Sequence, residues 1–264
     1  MSVFESPLRD LRILVTRSAP DAELIGAPLV ELGALVEYFP LLEIEPITAL
    51  TDQLDLIKKL RVGERLIFIS RNAVRFSLPY LSAHSQYWPR ELVLIAVGAG
   101  TAQYLADCTG QLVIYPKLQQ NSEGLLALDE LQQVSGERIY LMKGEGGRTL
   151  IERTLTNRGA ELHALAWYRR QNANSTARQL NNLLKINNFN IILLSSVEAA
   201  AQFARLTSEV EPMTLKSCVY LVVSDRVEKC LEGLVPDAKF IRTNGAGHKA
   251  ITQALLRWVK NNKI

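Results

Sequence analysis

The sequence predicts an α/β fold with mostly parallel sheets, arranged as two similar lobes. Three observations lead there: short aliphatic runs that are continuously apolar, helical patterns that follow them, and a repeat of both at one fixed offset. Continuous apolarity marks a strand buried on both faces, as in a parallel sheet covered by helices. Strand and helix signals that alternate along the whole chain are the signature of βαβ construction.

The first strand is Arg12-Ile13-Leu14-Val15. An amphipathic stretch from Asp21 to Leu32 follows, but Gly26 and Pro28 fall inside it. Proline in a helix interior costs about 3 kcal/mol, so this helix is expected to kink or to start late. Val36 to Pro46 has an extended pattern. Leu66 to Ile69 is the next strand, and Ser70 then precedes a helical pattern over Arg71 to Leu81. Leu92 to Val97 leads through Gly98-Ala99-Gly100 into a helix at Thr101 to Ala106. Arg138 to Leu141 is a strand, Leu162 to Arg170 an extended segment, and Ile191 to Leu194 another strand. Ser196 opens a helix over Val197 to Leu206, and Val219 to Val223 is the last clear strand.

Ile13 recurs as Ile139, an offset of 139 − 13 = 126 residues. Leu24, Ile25 and Leu29 recur as Leu150, Ile151 and Leu155, and Gly33-Ala34 as Gly159-Ala160. Ser70 and Ser196, Ala73 and Ala199, Val97 and Val223, Leu105 and Leu231 keep the same shift. A repeat of this length implies a duplicated architecture. The equivalent segments Val36 to Pro46 and Leu162 to Arg170 form a two-stranded hinge if the chain crosses between lobes at both, with a cleft beside them as a default ligand site.

Composition narrows the function. The 264 residues are 48% hydrophobic and 22% charged, with 30 Lys and Arg against 27 Asp and Glu, a net charge of +3. That is ordinary globular chemistry: not collagenous, largely disordered or disulfide-built. The charge is too small to point to nucleic acid, and no apolar run reaches the length that crosses a membrane. Met1 to Asp10 has no apolar core of a secretory signal. Three cysteines (Cys108, Cys218, Cys230) without C-x-x-C spacing, and scattered His84, His163 and His248, predict neither disulfides nor a metal. The cysteines read as small buried apolar residues in a reducing, cytoplasmic type of sequence.

Gly98-Ala99-Gly100-Thr101 begins like a dinucleotide fingerprint, but Gln103 stands where the third glycine belongs and no acidic partner follows. It reads better as a turn whose amides, at a helix N-terminus, attract anions. Gly144-Glu145-Gly146-Gly147-Arg148 is a second glycine-rich turn, not a P-loop; Lys143 and Arg148 either orient an acidic group or are solvated charges. Arg17 stands at the equivalent strand end of the first copy. Thr16, Ser70, Thr101, Ser195, Ser196 and Ser224 put hydroxyls at strand ends, where helix capping accounts for each and a shared ligand edge is the functional alternative. Tyr168 on a hinge segment either packs or turns its phenol into the cleft as a modest proton donor.

Several of these stretches together resemble the uroporphyrinogen-III synthase family. They are Leu14-Val15-Thr16-Arg17, Pro40 to Pro46, Ile69-Ser70-Arg71-Asn72-Ala73-Val74, Val97 to Ala102, Ser122-Glu123-Gly124-Leu125-Leu126, Lys143 to Arg148, Arg158-Gly159-Ala160 running on to Tyr168-Arg169-Arg170, and Val222 to Arg226. The resemblance spans essentially the full length, in order. It implies two doubly wound, Rossmann- or flavodoxin-like lobes joined by a two-stranded linker: residues 1–37 with 171–264, residues 45–163, and linker strands 38–44 and 164–170. It implies cyclisation of hydroxymethylbilane to uroporphyrinogen III with loss of water and inversion of ring D, without cofactor or metal. Tyr168 matches the linker tyrosine that assists departure of the hydroxyl. Ser70, Thr101, Ser196 and Ser224 match hydroxyls around the cleft, and Arg17, Arg148, Gly98, Gly100 and Ser122 match further substrate contacts. The implied partners are an acidic linear tetrapyrrole and, transiently, the enzyme that forms it; no nucleic acid or membrane is implied, and the chain is expected to be a cytoplasmic monomer. The rival classes are a non-catalytic two-lobed small-molecule-binding protein and a nucleotide-dependent enzyme.

Overall fold

The computed structural model describes residues 6–48, 51–208, 210–243 and 245–262. Met1 to Glu5, half of the segment read above for a signal, lie outside them. The chain forms two compact units, one holding the described chain up to Glu43 and from Gln171 onward, the other Ile44–Arg170.

The first part of the chain supplies β1 (Arg12–Val15), α1 (Asp21–Glu31), β2 (Leu35–Tyr38), β3 (Leu42–Pro46) and α2 (Thr51–Lys58). Then come β4 (Arg65–Phe68), α3 (Arg71–His84), β5 (Val93–Ala96), α4 (Ala99–Thr109) and α5 (Ser122–Leu126). The second copy of the repeat opens with β6 (Arg138–Gly144), α6 (Leu150–Asn157) and β7 (Glu161–Asn172). The rest is α7 (Ala177–Asn187), β8 (Ile191–Leu194), α8 (Val197–Leu206), α9 (Pro212–Lys216), β9 (Val219–Val222), α10 (Asp225–Glu232), β10 (Lys239–Arg242) and α11 (His248–Asn262).

One sheet has the order β2-β1-β8-β9-β10, parallel throughout. Numbered along the chain that is 2-1-3-4-5, the flavodoxin-like winding. The other runs β3-β7-β6-β4-β5, and Ile114 adds a parallel bridge to Ile95 beyond β5. With β3 left aside, β6 counted first and Ile114 last, the order is again 2-1-3-4-5, built from a circularly permuted stretch of chain. β3 lies antiparallel to β7, because Ile47 N–H bonds Trp167 O and Ala173 N–H bonds Leu41 O.

Both faces of each sheet are covered, which is why the strands are continuously apolar. Leu14 joins one core cluster and its neighbours Ile13 and Val15 another. Leu66 and Phe68 join a third, and Ile67 between them a fourth. α8 and α1 supply opposite faces of the first sheet, α3 and α6 opposite faces of the second.

Four expectations need correction. α1 begins at Asp21 despite Pro28, because Ala22, Ile25, Gly26 and Leu29 are all buried and packing outweighs one lost backbone bond. α3 carries Pro79 in the same way and runs to His84, three residues past its expected end. The stretch Val36 to Pro46 is two strands broken at residues 39–41, and Cys108, on the outer side of α4, is exposed.

The repeated Gly-Ala pair ends a helix identically in both copies. Gly33 and Gly159 have φ of +96° and +83°, a region that favours glycine. The following amides, Ala34 N–H and Ala160 N–H, reach back to Leu29 O and Leu155 O at 3.0 and 3.1 Å. A Cβ on Gly159 would also lie 2.8 Å from Ser135 Oγ. Gly159→Ala is therefore expected to lower unfolding stability by about 1–3 kcal/mol, measured by urea denaturation.

Candidate active site

In an open α/β sheet a ligand crevice forms where the helices following two adjacent strands depart to opposite faces, at the strands' C-terminal ends. In the second sheet that place lies between β4 and β6. The turn after β4 carries Ser70, which caps α3 by accepting Ala73 N–H at 2.9 Å.

β7 brings the phenol there through an irregularity. Lys143 is paired with Ala166, but Gly144 is paired with Tyr168, so Trp167 is an extra residue on β7. Strict alternation would turn Tyr168 to the face opposite Trp167. A bulge re-aims the side chain, and Leu165, Trp167 and Tyr168 all enter the same core cluster. Trp167 fixes its own position by stacking on Tyr80 and donating its indole N–H to Met142 Sδ at 3.1 Å.

The Tyr168 ring is 1% exposed. It lies against the Cα of Gly144, where a Cβ would stand 2.6 Å from Cζ and 3.0 Å from the phenol oxygen. Phe76 packs at 6.1 Å between ring centres, and the Arg170 guanidinium lies 5.6 Å from the Tyr168 centroid. The hydroxyl is 3.0 Å from Ser70 Oγ and accepts from Arg170 Nη2 at 3.4 Å. Two other buried phenols, Tyr140 and Tyr220, are held well above the ordinary phenol range, chiefly by burial. They sit within the cores, and Tyr220 donates to Leu215 O.

The remaining candidates divide by unit. On the edge of Ile44–Arg170, Gly98 precedes α4, and Ala99 N–H donates to Gln120 Oε1 at 2.9 Å. Gln120 therefore occupies the helix end read as an anion site. Gly100 is exposed, whereas Thr101 is 7% exposed and lies inside α4 rather than capping it. Ser122 is the first residue of α5, capped by Asn121. Arg148 bonds Glu123 at 3.2 Å and Lys143 pairs with Glu152, so neither cation is simply solvated.

On the other unit's edge, Arg17 bonds Asp21 at 2.8 Å and Ala246 O at 3.0 Å. Ser196 caps α8 through Ala199 N–H at 3.0 Å. Ser224 precedes α10, is exposed and makes no side-chain cap bond. Thr16 caps nothing; it donates to Leu193 O at 2.6 Å. Of the sequence candidates, the structure joins only Ser70 and Tyr168 by a direct hydrogen bond. Gly144, Arg170 and Gln120 were missed as individual site residues. The glycine-rich turn was a signal for Gly144, but nothing local in the sequence announces a bulge.

Among the described residues no group of three or more His, Cys, Asp and Glu could hold a metal ion, and no helix is long and apolar enough to cross a membrane. Gly144→Ala is expected to push the Tyr168 ring from its seat and cost about 1–3 kcal/mol as overpacking, measured by chemical denaturation.

Comparison with known proteins agrees with this architecture. A family model described as uroporphyrinogen-III synthase HemD matches residues 24–235. The uroporphyrinogen-III synthase of Escherichia coli (strain K12) is 33% identical over 220 residues, 83% of this chain and 89% of that one. That of Proteus mirabilis is 34% identical over 160 residues, 61% of this chain and 80% of that one. Two solved structures share the fold. A mutant uroporphyrinogen III synthase from the extremely thermophilic bacterium Thermus thermophilus has a TM-score of 0.60 at 18% identity, covering 95% of this chain and 99% of that one. Uroporphyrinogen-III synthetase from Helicobacter pylori 26695 has a TM-score of 0.60 at 14% identity, covering 94% and 99%. With a family match over most of its length and a relative one-third identical across most of both chains, this chain belongs to the uroporphyrinogen-III synthase family.

Proposed function

We propose that this protein closes hydroxymethylbilane to uroporphyrinogen III, releasing water and inverting ring D, in tetrapyrrole biosynthesis leading to heme or siroheme. Family membership supports the reaction, and one structural observation supports its machinery: the bulge in β7 that sets the Tyr168 hydroxyl at the C-terminal edge of the second sheet. The substrate supplies its own driving force. A pyrrole nitrogen lone pair expels the hydroxyl and leaves an azafulvene-type cation. Attack by the substituted carbon of ring D gives a spiro intermediate, which fragments and recloses with that ring inverted. No external electron carrier is needed by this sequence of steps. The enzyme's contribution is to orient ring D and to help the hydroxyl depart.

Tyr168 is the proton donor to that hydroxyl. Acetate and propionate arms suit the amides at Gly98 and Gly100, where a carboxylate takes the place of the Gln120 amide oxygen, the hydroxyls of Thr101 and Ser122, and Arg148 on one edge. Arg17, Ser196 and Ser224 are the corresponding charged and hydroxyl groups at the strand ends of the other unit. Arg17 and Arg148 already hold carboxylates of their own, so a substrate carboxylate exchanges with Asp21 or Glu123 there. Ser70 is engaged with Tyr168 and is removed from the direct carboxylate contacts by this reading. The protein acts as a cytoplasmic monomer that takes its unstable substrate from the enzyme that forms it.

Purified protein added to hydroxymethylbilane generated in situ is expected to shift the oxidised products from uroporphyrin isomer I to isomer III. Isomer I alone from folded protein would refute the assignment. Tyr168→Phe is expected to keep isomer III as the enzymatic product while lowering turnover about 100-fold, the lower end of general-acid contributions; rapid-quench single-turnover kinetics read it out. Unchanged turnover would reduce the phenol to packing.

A further inference from the structure

We propose that Ser70 and Arg170 are positioning residues that hold the negative charge on the Tyr168 oxygen once that phenol has given up its proton. The proposal rests on the reading of Tyr168 as proton donor. It follows from the donors within reach of the phenol oxygen. Ser70 Oγ already accepts Ala73 N–H at 2.9 Å, so its own proton is free to point at the Tyr168 oxygen 3.0 Å away. Arg170 Nη2, at 3.4 Å, can only donate. With the Ser70 hydroxyl turned to donate, two donors converge on one phenol oxygen and the phenol's proton is left for a third partner. A neutral phenol makes limited use of two donors, whereas a phenolate makes full use of both. The arrangement is complementary to the state formed during reaction, which is how preorganised donors accelerate a step.

The charges around the ring agree. Arg169, the next residue on β7, is neutralised by Glu45 at 3.1 Å, and Lys143 by Glu152. Arg170 has no acidic partner among the described residues, and its guanidinium lies over the Tyr168 ring, so its charge acts on the phenol. Gly144 beneath and Phe76 beside the ring keep the oxygen where both donors reach it.

The step balances. The bond from the hydroxymethyl carbon to oxygen breaks with both electrons going to oxygen, while the pyrrole nitrogen pair forms the azafulvenium double bond. The Tyr168 proton joins the departing oxygen, which leaves as water. Phenolate and cation appear together, so net charge is unchanged. The proton lost from the ring carbon when the closed macrocycle regains aromaticity restores the phenol.

Ser70→Ala and Arg170→Gln are each expected to lower kcat about tenfold or more, since single donors to a developing oxyanion contribute on this scale, with KM within about twofold. Ser70→Thr keeps the cap and the hydroxyl and is expected to retain activity. Replacing Tyr168 by 3-fluorotyrosine, whose proton leaves more readily, is expected to recover most of the loss in both variants. Arg170 is exposed, so its substitution reports on the reaction without threatening the fold. Losses that fluorotyrosine does not recover, a rise in KM with kcat unchanged, or wild-type kcat in both variants would each overturn the proposal. Wild-type turnover in Tyr168→Phe would instead overturn the proton-donor reading beneath it.

Discussion

One extra residue in β7, opposite the step from Lys143 to Gly144, decides where the phenol of Tyr168 lies. In a regular strand Trp167 and Tyr168 would face opposite sides of the sheet, and the hydroxyl would be lost among the aliphatic side chains around Ile139 and Leu141. With the bulge, both aromatics enter one cluster and the hydroxyl reaches the turn after β4, where Ser70 meets it. The placement demands a neighbour without a side chain, because any Cβ at Gly144 would stand 2.6 Å from the ring's Cζ. The bonds from Glu145 N–H to Tyr168 O and from Ile47 N–H to Trp167 O fasten the backbone on either side. Chemistry at this edge depends on backbone register before it depends on any functional group.

The duplication shows what that register changes. Strand pairing obeys the sequence offset in both copies: Ile13 lies opposite Val36 as Ile139 lies opposite Leu162. Ser196 is the counterpart of Ser70, and each caps the helix after its strand. At the same offset, 168 − 126 = 42, and residue 42 is Leu42. Ser196 accordingly has no phenol partner and remains a cap. At the matching switch point, between β1 and β8, Thr16 ties its hydroxyl to Leu193 O and Arg17 is clipped to Asp21 and Ala246. Two units of one winding have thus diverged, one acquiring a hydrogen-bonded tyrosine and the other an edge braced by internal bonds.

Much of the fold is legible in the sequence because its causes are local or periodic. Ile191 to Leu194 reads as a doubly buried strand, and Ser196 ahead of Val197 to Leu206 reads as a capped helix with the bounds observed. Gly33-Ala34 and Gly159-Ala160 announce matching helix ends because left-handed backbone needs glycine. What the sequence hides is partnership across the fold. Arg17, Lys143 and Arg148 look like available cations until Asp21, Glu152 and Glu123 are placed beside them. Pro28 looks like a break because burial of the surrounding face is not visible in propensity. A bulge leaves no compositional mark, so Tyr168 could be singled out while its partners Gly144 and Arg170 could not.

The most direct test of this account is a double-mutant cycle on kcat between Gly144→Ala and Tyr168→Phe. If the glycine exists to seat the reacting phenol, Gly144→Ala lowers kcat sharply in the presence of Tyr168 and has little further effect once the hydroxyl is gone. Such coupling is the expected behaviour of two groups acting as one unit. Losses that simply multiply in the double variant would show that Gly144 and the Tyr168 hydroxyl act independently, and would contradict the account.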